Sequence, residues 1–197
     1  MQEEGNKTKL LDGALECIRT RGYGSTSSRD IARAAGVNVA SINYHFGGKD
    51  QLLEQALTRC FDGWTDRLEA ALAAADNASD LRGQLLGIFR ATVDSFAATR
   101  PEIHSCIESF APALRSDTLR AALADGYARV RQRAQDLTRQ TLAPHGIPEP
   151  PNLPAITSVV LAIIDGLMIQ WIADPSAPPS ADEVVDALAI LGAIATP

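Results

Sequence analysis

Ser27-Ser28-Arg29-Asp30-Ile31-Ala32-Arg33-Ala34-Ala35-Gly36-Val37-Asn38-Val39-Ala40-Ser41-Ile42-Asn43-Tyr44-His45-Phe46 is the stretch that decides the fold. Ser25-Thr26-Ser27 supplies N-cap candidates for a short helix from Ser28 to Ala35, with Ile31, Ala32 and Ala35 on its inner face. Gly36 ends that helix, because a residue without Cβ enters the left-handed region at little cost. A third helix follows from about Val39 to Phe46. Ile31, Ala35, Val37, Ile42 and Phe46 can pack the two helices together, and Ala32 and Ala35 are small enough for close approach. Two short helices around a tight glycine turn make a helix-turn-helix candidate. Asn38, Val39, Ser41, Asn43, Tyr44 and His45 are left facing outward.

Working outward, the helical period continues in both directions and no segment reads as a strand. Upstream, Leu10, Leu11, Ala14, Leu15 and Ile18 form one amphipathic stripe that stops at Gly22. Downstream, Gly47-Gly48 precedes a long helix with its stripe from Leu52 through Phe61 and Trp64 to Leu72, which runs to about Ala75. Asp76-Asn77-Ala78-Ser79 is expected to end it and to cap a helix carrying Leu85, Leu86, Phe89, Val93 and Phe96. Arg100-Pro101 opens a shorter helix with Ile103, Ile107 and Phe110, and a long polar-faced one follows Pro112. The proline-rich run Pro144 to Pro151 cannot continue a helix. Two apolar helices, about Pro154 to Ala173 and Ser180 to Ala195, close the chain. The expectation is an all-α fold of about nine helices, with residues 1–48 as a helix-turn-helix domain and residues 49–197 as a larger helical domain.

A net charge of −6 over 197 residues argues at face value against nucleic acid, but the distribution matters more than the sum. All the lysines (Lys7, Lys9 and Lys49) lie in the first quarter. Together with Arg19, Arg21, Arg29 and Arg33 they outweigh Asp12, Glu16 and Asp30. A small basic module is therefore joined to a larger acidic one. The polar opening Met1 to Lys7 predicts no secretory leader. Ile156 to Trp171, the most apolar stretch, reads as too short for a bilayer and carries Asp165. Cys17, Cys60 and Cys106, an odd count at wide spacing, read as reduced thiols in a cytoplasmic protein.

Gly22-Tyr23, Thr26, Ile31-Ala32, Ala35-Gly36-Val37, His45-Phe46, Lys49 and Leu52, at fixed spacings over about fifty residues, resemble the DNA-binding domain of the TetR (tetracycline-repressor) family. Ile164-Asp165-Gly166-Leu167 and Gln170-Trp171 ahead of Asp174-Pro175 resemble the closing region of many members. The resemblance implies that Thr26, Ser27 and Arg29 meet phosphates, with a base edge also within reach. It implies that Asn38, Val39, Ser41 and Asn43 face the major groove, and that Tyr44, His45 and Lys49 clamp the backbone. One departure stands out: the family usually has Tyr directly after the aliphatic residue of the recognition helix, where this chain has Asn43 and then Tyr44. Asn43 can pair with adenine or contact phosphate. His45 can contact phosphate or pack and cap the helix end.

The larger domain has no nucleophile motif and no phosphate-binding glycine loop, so neither an enzyme nor a cofactor is expected. Glu102, His104, Cys106 and Glu108 alternate on one helix, where neighbours two apart point about 200° from each other, so no metal site is expected. The resemblance implies a ligand pocket, for which Phe61, Trp64, Phe89, Phe96, His104, Ile107, Phe110, Tyr127, Met168 and Trp171 are candidate lining, though each sits at a core position and taken singly reads first as packing. The few positive charges in this domain point to an apolar or weakly polar small molecule. The resemblance also implies a homodimer through the last two helices. Ile156, Val160, Ile163, Leu167, Val184, Leu188 and Leu191 are the candidate interface, setting two reading helices about 34–36 Å apart on double-stranded DNA. The expected function is thus a ligand-responsive repressor released from a palindromic operator, with no membrane partner. The rival is an all-helical small-molecule carrier without DNA function.

Overall fold

The computed structural model describes residues 2–74 and 80–195. Nine α-helices lie among them: α1 Gln2–Arg21, α2 Ser28–Ala35, α3 Ala40–Phe46, α4 Lys49–Ala74, α5 Leu81–Val93, α6 Arg100–Ala113, α7 Asp117–Leu142, α8 Leu153–Ala173 and α9 Ala181–Ala195. A single 3-10 turn, Ala143–His145, follows α7. The fold is all-α, and among the described residues there is no strand. The expected capping segment Asp76–Ser79 and the α4 terminus at Ala75 lie outside the described residues. Within them, α5 is capped by Asp80, whose carboxylate accepts the Gly83 backbone N–H at 2.7 Å.

The chain packs as two compact units, Met1–Trp64 with Pro101–Gly126, and Thr65–Arg100 with Tyr127–Pro197. In the first, α2 is held at both ends. The Ser27 hydroxyl accepts the Asp30 backbone N–H while the Asp30 carboxylate accepts the Ser27 backbone N–H, a reciprocal capping box. At the other end Gly36 sits at φ +64°, and its N–H and that of Val37 satisfy the last α2 carbonyls. Ile31 and Ile42 are buried from the two sides of this turn, with Phe46 and the α1 residues Leu10, Ala14 and Ile18 completing the core.

Close approach of α1 to α2 depends on Gly13, which the helical pattern of α1 did not single out. A Cβ there would stand 2.9 Å from the Ala35 backbone nitrogen and 3.0 Å from the Ile31 carbonyl oxygen. Ala is favoured over Gly inside a helix by about 0.8–1.0 kcal/mol. A clash against backbone costs roughly 1–3 kcal/mol and outweighs that gain. Gly13→Ala is therefore expected to destabilise the first unit and Gly13→Val to do so further. Urea unfolding of the three proteins checks the order, and an alanine variant as stable as the parent would refute the close contact.

In the second unit α5 packs on α8 and α9. Phe89 and Phe96 are fully buried, and Leu161, Ile164, Leu167 and Met168 of α8 and Val184 and Val185 of α9 bury beside them. Arg82–Asp186 at 2.8 Å and Arg90–Asp182 at 2.9 Å bridge α5 to α9 at the surface. Exposed pairs of this kind contribute less than about 1 kcal/mol each, so the apolar contact holds these helices and the pairs fix their register.

α8 corrects one expectation. It is 21 residues long, longer than the Ile156–Trp171 stretch, and is long and apolar enough to cross a bilayer by length and composition. Its apolarity has a local use on one side, where Leu153, Thr157, Leu161, Ile164 and Met168 are buried in the unit. On the other side Ile156, Val159 and Ile169 are exposed.

Candidate functional site

The turn between α2 and α3 presents α3 as an outward ridge. Ile42 and Phe46 anchor it inward, which leaves Asn43 exposed and Tyr44 73% exposed, with Val39 46% exposed at its start. The Asn38 side-chain oxygen accepts the Ala40 backbone N–H at 2.9 Å, so Asn38 also caps the start of α3. The His45 ring is half-buried between Tyr44 and Phe46, edge-on to both at 4.9 and 6.4 Å between centroids. Ser41 is half-buried.

The other candidates from the sequence surround this ridge. Arg29 and Ser27 are exposed, Ser27 being engaged in the capping box. Thr26 is buried, and its hydroxyl donates to the Gly22 carbonyl at 2.8 Å. Lys49 reaches back from α4 to donate to the Thr26 carbonyl at 3.3 Å, tying the start of α4 to the loop before α2. Lys7 of α1 lies over the Phe46 ring at 5.9 Å, which brings a further cation to the end of α3. Asp30 is the local acid; its Ser27 hydrogen bonds, and then Arg21 and Arg33, hold its carboxyl below the usual range, so it stays ionised. Arg21 and Arg33 are thus partly neutralised, whereas Lys7, Lys9 and Arg29 are exposed cations on this module.

The second unit contains a cavity of about 120 Å³. Leu68 and Leu72 of α4, Leu85 and Ile88 of α5, Val130 and Leu137 of α7, and Leu153, Leu161 and Ile164 of α8 wall it, with Pro150 at its edge. Ile156 and Val160, read from the sequence as interface residues, also line it. None of the ten aromatic-centred pocket candidates does. Phe61, Trp64, His104, Ile107 and Phe110 belong to the first unit, where the Phe61 and Phe110 rings pack edge-on at 6.4 Å. Phe89, Phe96, Tyr127, Met168 and Trp171 belong to the second, with Phe96 against Trp171 at 5.8 Å. Among the described residues no group of three or more His, Cys, Asp or Glu side chains converges as metal ligands.

Tyr127 and Asp165 form a polar contact between α7 and α8 with a titration consequence. The Tyr127 hydroxyl donates to Asp165 Oδ2 at 2.7 Å, while Oδ1 is buried without a hydrogen-bond partner. Burial pushes the Asp165 carboxyl above its ordinary value, and the Tyr127 hydrogen bond opposes the shift. A carboxyl raised on folding favours the fold below its unfolded pKa, and that advantage is lost as pH rises through the folded pKa. Asp165→Asn is therefore expected to melt higher than the parent at neutral pH, with the difference vanishing in acid. Parallel melting curves at the two pH values check this, and a lower-melting variant at neutral pH would contradict it.

The described exposed apolar residues of α8 and α9 are Ile156, Val159 and Ile169, then Ile190, Leu191 and Ile194. Of the interface candidates, Ile156 and Leu191 are exposed; Val160, Ile163 and Leu188 are half-buried; Leu167 and Val184 are buried inside the protomer.

Residues 10–56 match the model of the bacterial regulatory proteins of the tetR family, and residues 81–191, more than half the chain, match the C-terminal domain of BetI-type transcriptional repressors. The chain belongs to the tetR family. Among curated relatives it is 38% identical over 65 residues to a protein described as the HTH-type transcriptional regulator YttP of Bacillus subtilis, covering 33% of this chain and 31% of that one. The aligned part spans about a third of the length of such curated relatives. Among solved structures, a transcriptional regulator from Pseudomonas aeruginosa PAO1 superposes with TM-score 0.73 at 21% identity, over 92% of this chain and 85% of that one. A transcriptional regulator from Saccharomonospora viridis in complex with choline gives TM-score 0.71 at 25% identity, over 92% of each chain. The tetR-family match at residues 10–56 covers the α2–α3 ridge and the start of α4, and the repressor match covers α5 to most of α9.

Proposed function

We propose that this tetR-family protein is a cytoplasmic, homodimeric repressor. It binds a palindromic double-stranded DNA operator and is released by a small apolar or weakly polar molecule. It works without enzymatic activity, a cofactor or a membrane partner. The observation that carries this reading is the α3 ridge: a helix anchored by Ile42 and Phe46 that turns Val39, Asn43 and Tyr44 outward, among exposed cations. Polar groups there suit base edges, while Arg29, Lys49 and the Tyr44 hydroxyl suit phosphates. Residues 1–48 then act as the reading domain and residues 49–197 as the sensing and pairing domain.

Release follows if the effector binds one conformation of the sensing domain better than the other. α4 is continuous from Lys49 to Ala74, so a tilt of this helix changes the spacing of two reading helices. By linkage, effector and operator must weaken each other by the same factor.

The test is competition binding of the purified protein to the DNA upstream of its own gene, against unrelated DNA. Retention of the upstream DNA supports a sequence-specific regulator. Indifference between the two DNAs would move the carrier reading ahead.

A further inference from the structure

Resting on the effector-responsive reading above, we infer that the effector carries an uncharged aliphatic chain of about five or six carbons, held in the cavity among α4, α5, α7 and α8 of the second unit. The wall chemistry decides the class. Among the described residues no acidic, basic or aromatic side chain lines the cavity; apart from Gln84, Thr138 and Thr157 the described lining is hydrocarbon. Each of those three already donates a hydrogen bond within the protein. The Gln84 amide donates to the Thr141 hydroxyl, Thr138 donates to the Ala134 carbonyl at 2.9 Å, and Thr157 donates to the Leu153 and Pro154 carbonyls at 3.2 and 3.1 Å.

A quaternary ammonium ion needs aromatic faces or a carboxylate around it, and the described lining offers neither. A carboxylate needs a cation or free N–H donors. The nearby Arg139 is held by Glu149 at 2.8 Å and Asp136 at 2.9 Å. Charge burial without a partner is prohibitive, whereas methylenes against Leu, Ile and Val are welcome. Size sets the length: an aliphatic-lined cavity of roughly 150 Å³ takes one benzene, so about 120 Å³ takes a chain of similar or slightly smaller carbon count. A polar, uncharged head then stays at the solvent side, near Leu81 and Ile156, the exposed lining residues.

The test is a series of straight-chain 1-alkanols, methanol to decanol, titrated calorimetrically into the full chain, with hexanoate and choline alongside. Affinity is expected to rise roughly fourfold per methylene and to level off at about hexanol. Ala134→Leu, which puts three more carbons into the wall, should bring the plateau about three carbons earlier. The unsubstituted series stands as a test if that variant does not fold. A flat series, or hexanoate or choline binding more tightly than hexanol, overturns the inference and leaves the regulator reading intact. Normal alkanol steps together with no preference for upstream DNA would instead overturn the regulator reading and leave the cavity assignment standing.

Discussion

Raising salt from about 50 to about 200 mM is expected to weaken operator binding by roughly three to five orders of magnitude. The estimate comes from the cations around the α3 ridge. Lys7, Lys9 and Arg29 are exposed, and Lys49 is half-buried beside Thr26, with the exposed Asp50 carboxylate 3.9 Å away as a weak partner. Arg21 and Arg33 share Asp30, and Arg19 pairs with Glu102 at 3.6 Å, so these contribute less. Three to five phosphate contacts per copy give about six to ten per dimer, and each displaces a condensed counterion from the duplex. The chain's overall charge of −6 works against association, which concentrates the attraction on this one module. Titrations at four salt concentrations give the slope directly. A slope near zero would mean that these cations do not sit on phosphates. Arg29→Ala should lower the slope by about one per operator half while leaving sequence preference unchanged.

Leu191→Glu is expected to turn the protein into a monomer and to cut operator affinity by roughly 10²–10⁴-fold, because two linked half-site contacts become independent ones. Leu191 is 61% exposed, with Ile190 at 60% and Ile194 at 75% beside it on the outer side of α9. Self-paired faces meet their own copy, so one substitution places two carboxylates in the same apolar contact. The protomer itself should barely change in stability, since an exposed side chain contributes within about 0.5 kcal/mol. Sedimentation velocity reads the assembly and DNA titration reads the consequence. A Leu191→Glu protein that still sediments as a dimer would place the pairing face elsewhere.

The helix-turn-helix was legible because its determinants are local. Ser27 before an apolar pair, Gly36 after it, and Ile31, Ile42 and Phe46 at helical spacing each specify one step, and all appear in the structure as cap, left-handed turn and core. Asn38 illustrates the limit. Its side chain could be assigned outward from the pattern, but its bond to the Ala40 N–H depends on a backbone conformation the pattern does not encode. Gly13 is a second case: inside a helix it reads as a weak helix former, and only the Ala35 backbone opposite reveals its role.

The cavity was less legible for a physical reason. Aromatic side chains are the conspicuous lining candidates, yet Phe61, Phe89 and Phe96 do not line it, while Leu153, Leu161 and Ile164, buried to a similar degree, do. The cavity lies where aliphatic stripes of four helices fail to fill the space, and Leu85 or Val160 looks the same in sequence whether it faces a neighbour or a void. Exposed and buried members of the α8 and α9 stripes are similarly alike in type. Leu167 and Leu191 differ only in what packs over them.

α8 carries Ile156 and Val160 on the cavity wall and Val159 and Ile169 on the exposed stripe, with no spare side between them. If the cavity holds the effector and the exposed stripe pairs two copies, as proposed, a substitution on α8 that changes chemical preference also touches self-recognition. Leu85, Ile88 and Ala134 line the same cavity from α5 and α7 without belonging to that stripe. On those same assignments, ligand preference can change most freely at those three positions, while α8 answers to two demands at once.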